Sequence, residues 1–289
     1  MPFKPGAASA LVEISRSSAR QLYAVTVQDS LRISNCITEN TALFYFKKTL
    51  HQTTPHSFIF AIETVDFSQT NSHELGPLEE EMVRLKENLL LEVDSSGRLL
   101  RVVNKEELRR KWKAIRPVLK ARYRNSSVIS PAQVEQIGQI LNGDGYLETV
   151  LARSPEYSIL FPAIYDRTYT TTDVHRSASL IPRFVGQLDL PLRLETRLES
   201  RENTSELRKI VVEGFVNEAT YPAEAVQQAL RKLTDTFDLD TNLVSLHQES
   251  YVFDDAPLQE MLEATRYTRY EVPGVFGKEI VVLAQLLVE

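Results

Sequence analysis

The chain of 289 residues carries 33 lysines and arginines against 39 aspartates and glutamates, a net charge of −6, with 43% apolar and 25% charged residues. These are the values of an ordinary folded chain, and they exclude wholesale disorder, collagen-like repeats and a bundle of membrane spans. Glycine is scarce, 10 of 289, about half the usual frequency of roughly 7%, so chemistry built on glycine-rich phosphate loops has little material.

Residues 1–20, with Pro2, Pro5, Gly6 and Ser15-Arg-Ser-Ser18, read as a flexible arm. The segments 21–28, 41–47 and 57–67 are rich in aromatic and β-branched residues between polar turns, which predicts three antiparallel strands. Leu78, Met82, Leu85 and Leu89 then recur at helical spacing behind Pro77. Leu89–Asp94 and Leu99–Val103 around Gly97 form a hairpin signature. Asn104 with Glu107 has the form of a capping box before a basic helix striped by Leu108, Trp112, Ile115 and Leu119, which Pro117 should kink or end. Ser130-Pro131 opens another helix, and a short one is expected over 146–152. The stretch 154–176 has no assignable pattern.

In the second half, Leu188, Leu190, Leu192, Leu194, Thr196 and Leu198 alternate with polar residues, the period of a strand with one face in water, and Pro191 should confine that strand to an edge or a bulge. A strand over 206–218, a helix opened by Pro222 and striped by Val226, Leu230, Leu233 and Phe237, and strands over 243–253 and 278–288 follow. Residues 258–270 fit a helix or a strand. The expected fold is α+β: mostly antiparallel sheet, free to curl into a half-barrel, packed against amphipathic helices. The divisions are the arm 1–20, a sheet with helices over 21–176, and an antiparallel sheet with one helix over 177–289, which can continue the first sheet. Both halves run strands, helix, strands, an order compatible with a weak internal duplication. This architecture resembles half-barrel carriers that hold apolar ligands between a curled sheet and its helices. The resemblance implies a cavity and assigns no residue; those carriers are exported, and no signal peptide is visible here.

The search for chemistry returns mostly negatives. Gly143 and Gly145 are followed by Glu148 where a dinucleotide fingerprint needs a third glycine, and Gly274-Val-Phe-Gly-Lys-Glu279 is too short for a Walker loop. Cys36 can form no disulfide within the chain and reads as a small buried hydrophobe. The histidines are scattered, so no metal site and no cofactor is expected. His247 and Glu249 share one face of a strand and are the only acid/base candidates.

The anomaly is residues 101–124, with ten basic and two acidic side chains, a surplus that leaves the remainder of the chain strongly acidic. Such a helix either pairs with acids of its own chain or meets an acidic partner. The sequence therefore points first to a non-catalytic interaction protein, a cytoplasmic subunit or adaptor of a larger assembly, whose Arg109, Arg110, Lys113, Arg116 and Lys120 bind an acidic protein partner. Nucleic acid fits poorly with an acidic chain lacking any nucleic-acid fold signature, and an anionic membrane surface ranks behind a protein. The alternatives are a carrier of an apolar small molecule between sheet and helices, and an enzyme with dispersed acid/base residues. Oligomeric state is not encoded in any motif.

Overall fold

The computed structural model describes residues 9–70, 76–126, 129–199, 207–234, 242–254 and 259–287. Its elements in chain order are β1 (Ser9–Val12), β2 (Gln21–Ile33), β3 (Cys36–Thr53), β4 (Ser57–Gln69), α1 (Gly76–Leu85), β5 (Asn88–Asp94), β6 (Leu99–Val102), α2 (Lys105–Arg122), α3 (Pro131–Asn142), α4 (Tyr146–Arg153) and α5 (Pro155–Ser158). Then come β7 (Arg167–Thr170), β8 (His175–Val185), β9 (Leu188–Leu198), β10 (Leu207–Val216), α6 (Ala223–Thr234), β11 (Val244–Asp254), β12 (Met261–Val272) and β13 (Phe276–Leu287). Eleven strands form one open sheet in the order β6-β5-β4-β3-β2-β13-β12-β11-β10-β9-β8, and β1 pairs with β7 separately. The fold is α+β, a large antiparallel sheet packed against helices and not closed into a barrel.

The chain divides into two compact units: one of 1–13, 27–40 and 166–284, the other of 14–26, 41–165 and 285–289. Strands β2, β3 and β13 each contribute to both units. The expected arm does not extend to residues 9–14. There β1 pairs with β7 from Ser9 opposite Thr170 to Val12 opposite Arg167, and Ala10, Val12 and Ile14 are buried by simple alternation.

In the unit holding residues 41–165, the interior is built from Phe46, Ile62, Leu89, Leu91 and Val93 of the strands and Leu108, Trp112, Leu119, Val134 and Leu151 of the helices. Helix α1 stops at Leu85, and Leu89 enters the core from β5 instead. Asn104 stands at the N-cap position of α2, but its side chain makes no bond to the helix amides: Oδ1 accepts from the Leu90 amide at 2.9 Å, and Nδ2 donates to the Asn88 carbonyl at 2.9 Å and to Glu107 at 3.4 Å. Pro117 does not end α2 either: the helix runs on to Arg122, with Pro117 on its exposed side and Trp112 and Leu119 anchoring the buried side. One charge enters this core, Lys48, whose Nζ donates to the Leu160 carbonyl at 3.1 Å and lies over the Phe161 and Phe60 rings at 4.8 and 5.0 Å. Helix α3 has the capping box its sequence announces, with Ser130 Oγ accepting from the Gln133 amide at 3.2 Å. Ser130→Ala should cost about 1 kcal/mol, read as a lowered urea midpoint with an unchanged slope.

In the other unit, α6 buries Val226 and Leu230 in a cluster with Leu190, Leu192, Phe184, Tyr270 and Phe276. Leu233 is exposed, and Phe237 falls outside the described residues. Pro191 does not place β9 at an edge: β9 lies between β8 and β10, and the β10 ladder ends at Val216 opposite Leu192, so the missing proline amide falls just beyond it. The segment read as helix or strand is β12, and the unassigned stretch contains α5 and β7. Cys36 is exposed, because it opens β3 directly after the tight turn at Ser34, where φ is 52°. Among the described residues strand β8 ends the sheet and pairs with β9 alone; its ladder is broken after Ile181, where Pro182 is followed by Arg183 at φ 50°. No helix among the described residues is long and apolar enough to cross a membrane.

Candidate functional site

The basic helix α2 accounts for most of its own charge. Helix α3 ends with orphan carbonyls, and Arg109 fills them, donating from Nε to the Leu141 carbonyl at 3.1 Å and from Nη2 to that of Asn142 at 3.0 Å, while Nη1 reaches Glu106. Lys105 bridges the Gly143 carbonyl at 3.1 Å and Glu148 at 3.0 Å. Arg116, at 2.8 Å, and Lys120 converge on one Glu135 oxygen. Bonds from Lys120 and Arg116 hold the Glu135 carboxyl below the usual carboxylate range. Lys111 pairs with Glu107 at 3.1 Å, Arg122 with Glu81 at 3.7 Å, and Arg101 with Glu92.

What remains is a stripe facing water. At 100° per residue, Arg110, Lys113, Ala114, Pro117, Val118 and Ala121 share the side of α2 opposite Leu108, Trp112 and Leu119, and Arg124 follows just past the helix end. All seven are exposed, Val118 to 59%. Among the described residues no carboxylate lies within 4.0 Å of Arg110, Lys113 or Arg124, although, beside the bond from Lys111, the Arg110 charge helps to lower the Glu107 carboxyl. Of the five partner-binding candidates, Arg109, Arg116 and Lys120 are thus engaged within the chain, while Arg110 and Lys113 face outward. Arg124 completes the stripe. The sequence held it in the basic run, but only the packing of α3 and α4 reveals which members of that run are left over.

The acid/base candidates do meet. His247 Nε2 lies 3.1 Å from Glu249 Oε1 and its Nδ1 2.9 Å from the Thr268 hydroxyl. Gly214 sits directly opposite on β10 and makes room for the imidazole, since a Cβ there would stand 2.7 Å from His247 Cδ2. Arg266 on β12 donates from Nε to Glu249 Oε1 at 2.6 Å, and the Tyr251 hydroxyl donates to Oε2. Burial pushes the Glu249 carboxyl up, but the Arg266 charge and the bonds from His247 and Tyr251 outweigh it and hold the group far below its ordinary range. Burial, then the neighbouring Glu249 charge, pushes the Tyr251 hydroxyl well above its own. Both carboxylate oxygens are committed to cations and donors, the arrangement of a structural ion pair rather than of a base awaiting a proton.

Gln248 and Ser250 alternate with this cluster and line the opposite face, where Arg197, Glu199, Lys209, Glu213 and Tyr267 wall an open furrow of about 500 Å³. Its charges pair across strands: Arg197 grips Glu213 at 2.9 and 3.2 Å, and Lys209 meets Glu199 at 2.8 Å. The bond from Arg197 lowers the Glu213 carboxyl. In the other unit a hollow of about 530 Å³ between β4 and α1 is walled by Asp66, Glu80, Arg84 and Glu87 beside Val65 and Phe67. Among the described residues no group of three or more histidine, cysteine or acidic side chains is placed to hold a metal.

No protein-family model and no curated protein matches the sequence. Among solved structures the chain is similar to one described as lipid-protein interactions in lipovitellin, at 12% identity and a TM-score of 0.48, over 99% of this chain and 26% of that one. The chain thus spans about a quarter of that structure's length.

Proposed function

We propose that the chain is a non-catalytic interaction protein, a subunit or adaptor that docks an acidic protein partner on the outward face of α2. The observation that supports this reading is the leftover charge: once α1, α3 and α4 have taken their share, Arg110, Lys113 and Arg124 still face water around an exposed apolar strip. A solvated cationic face that retains its charge after internal pairing attracts acidic surfaces and speeds their capture. The carrier alternative calls for an apolar cavity; the two hollows of about 500 and 530 Å³ set Leu198, Val211 and Val212 in one, and Val65, Phe67 and Val83 in the other, among charged side chains. The enzyme alternative calls for a base free to take a proton; Glu249 borders the 500 Å³ furrow, but both its carboxylate oxygens are taken by His247, Arg266 and Tyr251.

Fluorescence anisotropy with labelled poly-L-glutamate at low salt tests the reading. Arg110→Glu/Lys113→Glu/Arg124→Glu should weaken binding about tenfold or more, and added salt should weaken the wild type in the same way. Arg231 and Lys232 are exposed on α6, and reversing both should change affinity by no more than about twofold. Equal losses in the two variants, or none in the first, would overturn the assignment.

A further inference from the structure

Resting on that reading, we infer that the acidic partner presents a helix, laid lengthwise along α2 with acidic residues at both ends of the contact. Three observations on the outward face lead there. Its centre consists of Ala114, Pro117, Val118 and Ala121, small or compact side chains spaced three and four residues apart, with Val118 59% exposed. Small residues at the crossing let two helix axes approach to about 8 Å, the near end of the packing range. Its cations stand at the two extremities, Arg110 and Lys113 at one and Arg124 at the other, about 20 Å apart at 1.5 Å per residue.

The third observation is chemical. The face offers apolar side chains at its middle and no ladder of backbone donors and acceptors, because a helix consumes its own amides and carbonyls. An extended segment pressed against it would leave its own backbone groups unpaired on an apolar surface, a penalty that recurs at every residue. A helix arrives with those groups already satisfied and brings only side chains to the contact. The fitting partner therefore carries acids about three to four turns apart, with apolar residues between them at helical spacing.

Two labelled peptides of equal length and charge test this: one an amphipathic helix with glutamates at both ends and a leucine stripe, the other with two central residues changed to proline. The helical peptide should bind about tenfold more tightly. Ala114→Trp/Ala121→Trp, at exposed positions, should abolish that preference by blocking close approach. Unchanged circular dichroism of the variant confirms its fold. Equal binding of the two peptides, or a preference that survives both tryptophans, would overturn the helical partner and leave the acidic-partner reading intact. If the triple charge reversal leaves poly-L-glutamate binding unchanged, both readings fall together.

Discussion

Arg266→Met should destabilise the protein by about 3 kcal/mol at neutral pH, because it removes the guanidinium that, with the bonds from His247 and Tyr251, makes burial of the Glu249 carboxylate tolerable. The side chains of Glu249 and Arg266 are only 11% and 19% exposed, and their contact is 2.6 Å. The pH dependence carries the diagnosis. In the native chain the Glu249 carboxyl is held below its ordinary range. Its contribution is therefore complete above the unfolded pKa of about 4.3 and is lost as pH falls through the lower folded value. In the variant the sign reverses: burial without Arg266 raises the folded pKa above the unfolded one, so protonation favours the folded chain. The gap between native and variant urea midpoints should be widest near pH 7 and shrink toward pH 4, and Arg266→Met/Glu249→Gln should recover most of the loss. A gap independent of pH would mean that lost packing of the arginine stem, not the stranded charge, dominates.

Gly97→Ala should cost about as much, roughly 3 kcal/mol, by a different route. Gly97 closes the β5–β6 hairpin at φ 94°, and a Cβ there would stand 2.4 Å from the Pro162 carbonyl oxygen and 2.7 Å from Tyr165 Cδ2. The obstructing atom is backbone, in a segment tied to the same turn by the Tyr165 amide donating to the Ser96 carbonyl at 3.2 Å. Gly145 supplies the comparison: its φ is also positive, 72°, but nothing lies within 4 Å of the position a Cβ would take. Gly145→Ala should therefore show only the conformational penalty, about 1 kcal/mol. The difference between the two thermal midpoints isolates the collision, and equal shifts would show that the 159–165 segment gives way.

Elements whose information is local could be read from the sequence. The 94–98 turn needs a residue tolerant of positive φ and Gly97 provides it; Leu190 and Leu192 alternate with Arg193 because they pack in the cluster with Val226 and Leu230 of α6 while Arg193 is exposed; Ser130 and Gln133 cap each other across a single turn. Elements whose pattern is written by distant partners could not. On β12 the inward residues include Arg266 and Thr268, polar because Glu249 and His247 on β11 await them, and that choice erases the apolar alternation a strand would show. Asn104 looks like a cap until β5 claims its amide group. The same limit governed the candidate site: residues 101–124 announce a basic helix, but the division into bound and leftover cations is decided by Glu135, Glu148 and the carbonyl end of α3.

The unpaired side of β8 has a consequence for how the chain behaves when crowded. A strand that ends a sheet offers its amides and carbonyls to any extended segment that passes, its own kind included, and long exposed edges are where misassembly begins. Leu180, 51% exposed, adds an apolar side chain to that invitation. Pro182 and the kink at Arg183 cancel it over the second half, since proline has no amide to lend and the break in the ladder disrupts the pleat. Only the stretch from His175 to Ile181 stays receptive, and the exposed Arg176 near its start sets like charge against like when a second copy arrives in parallel.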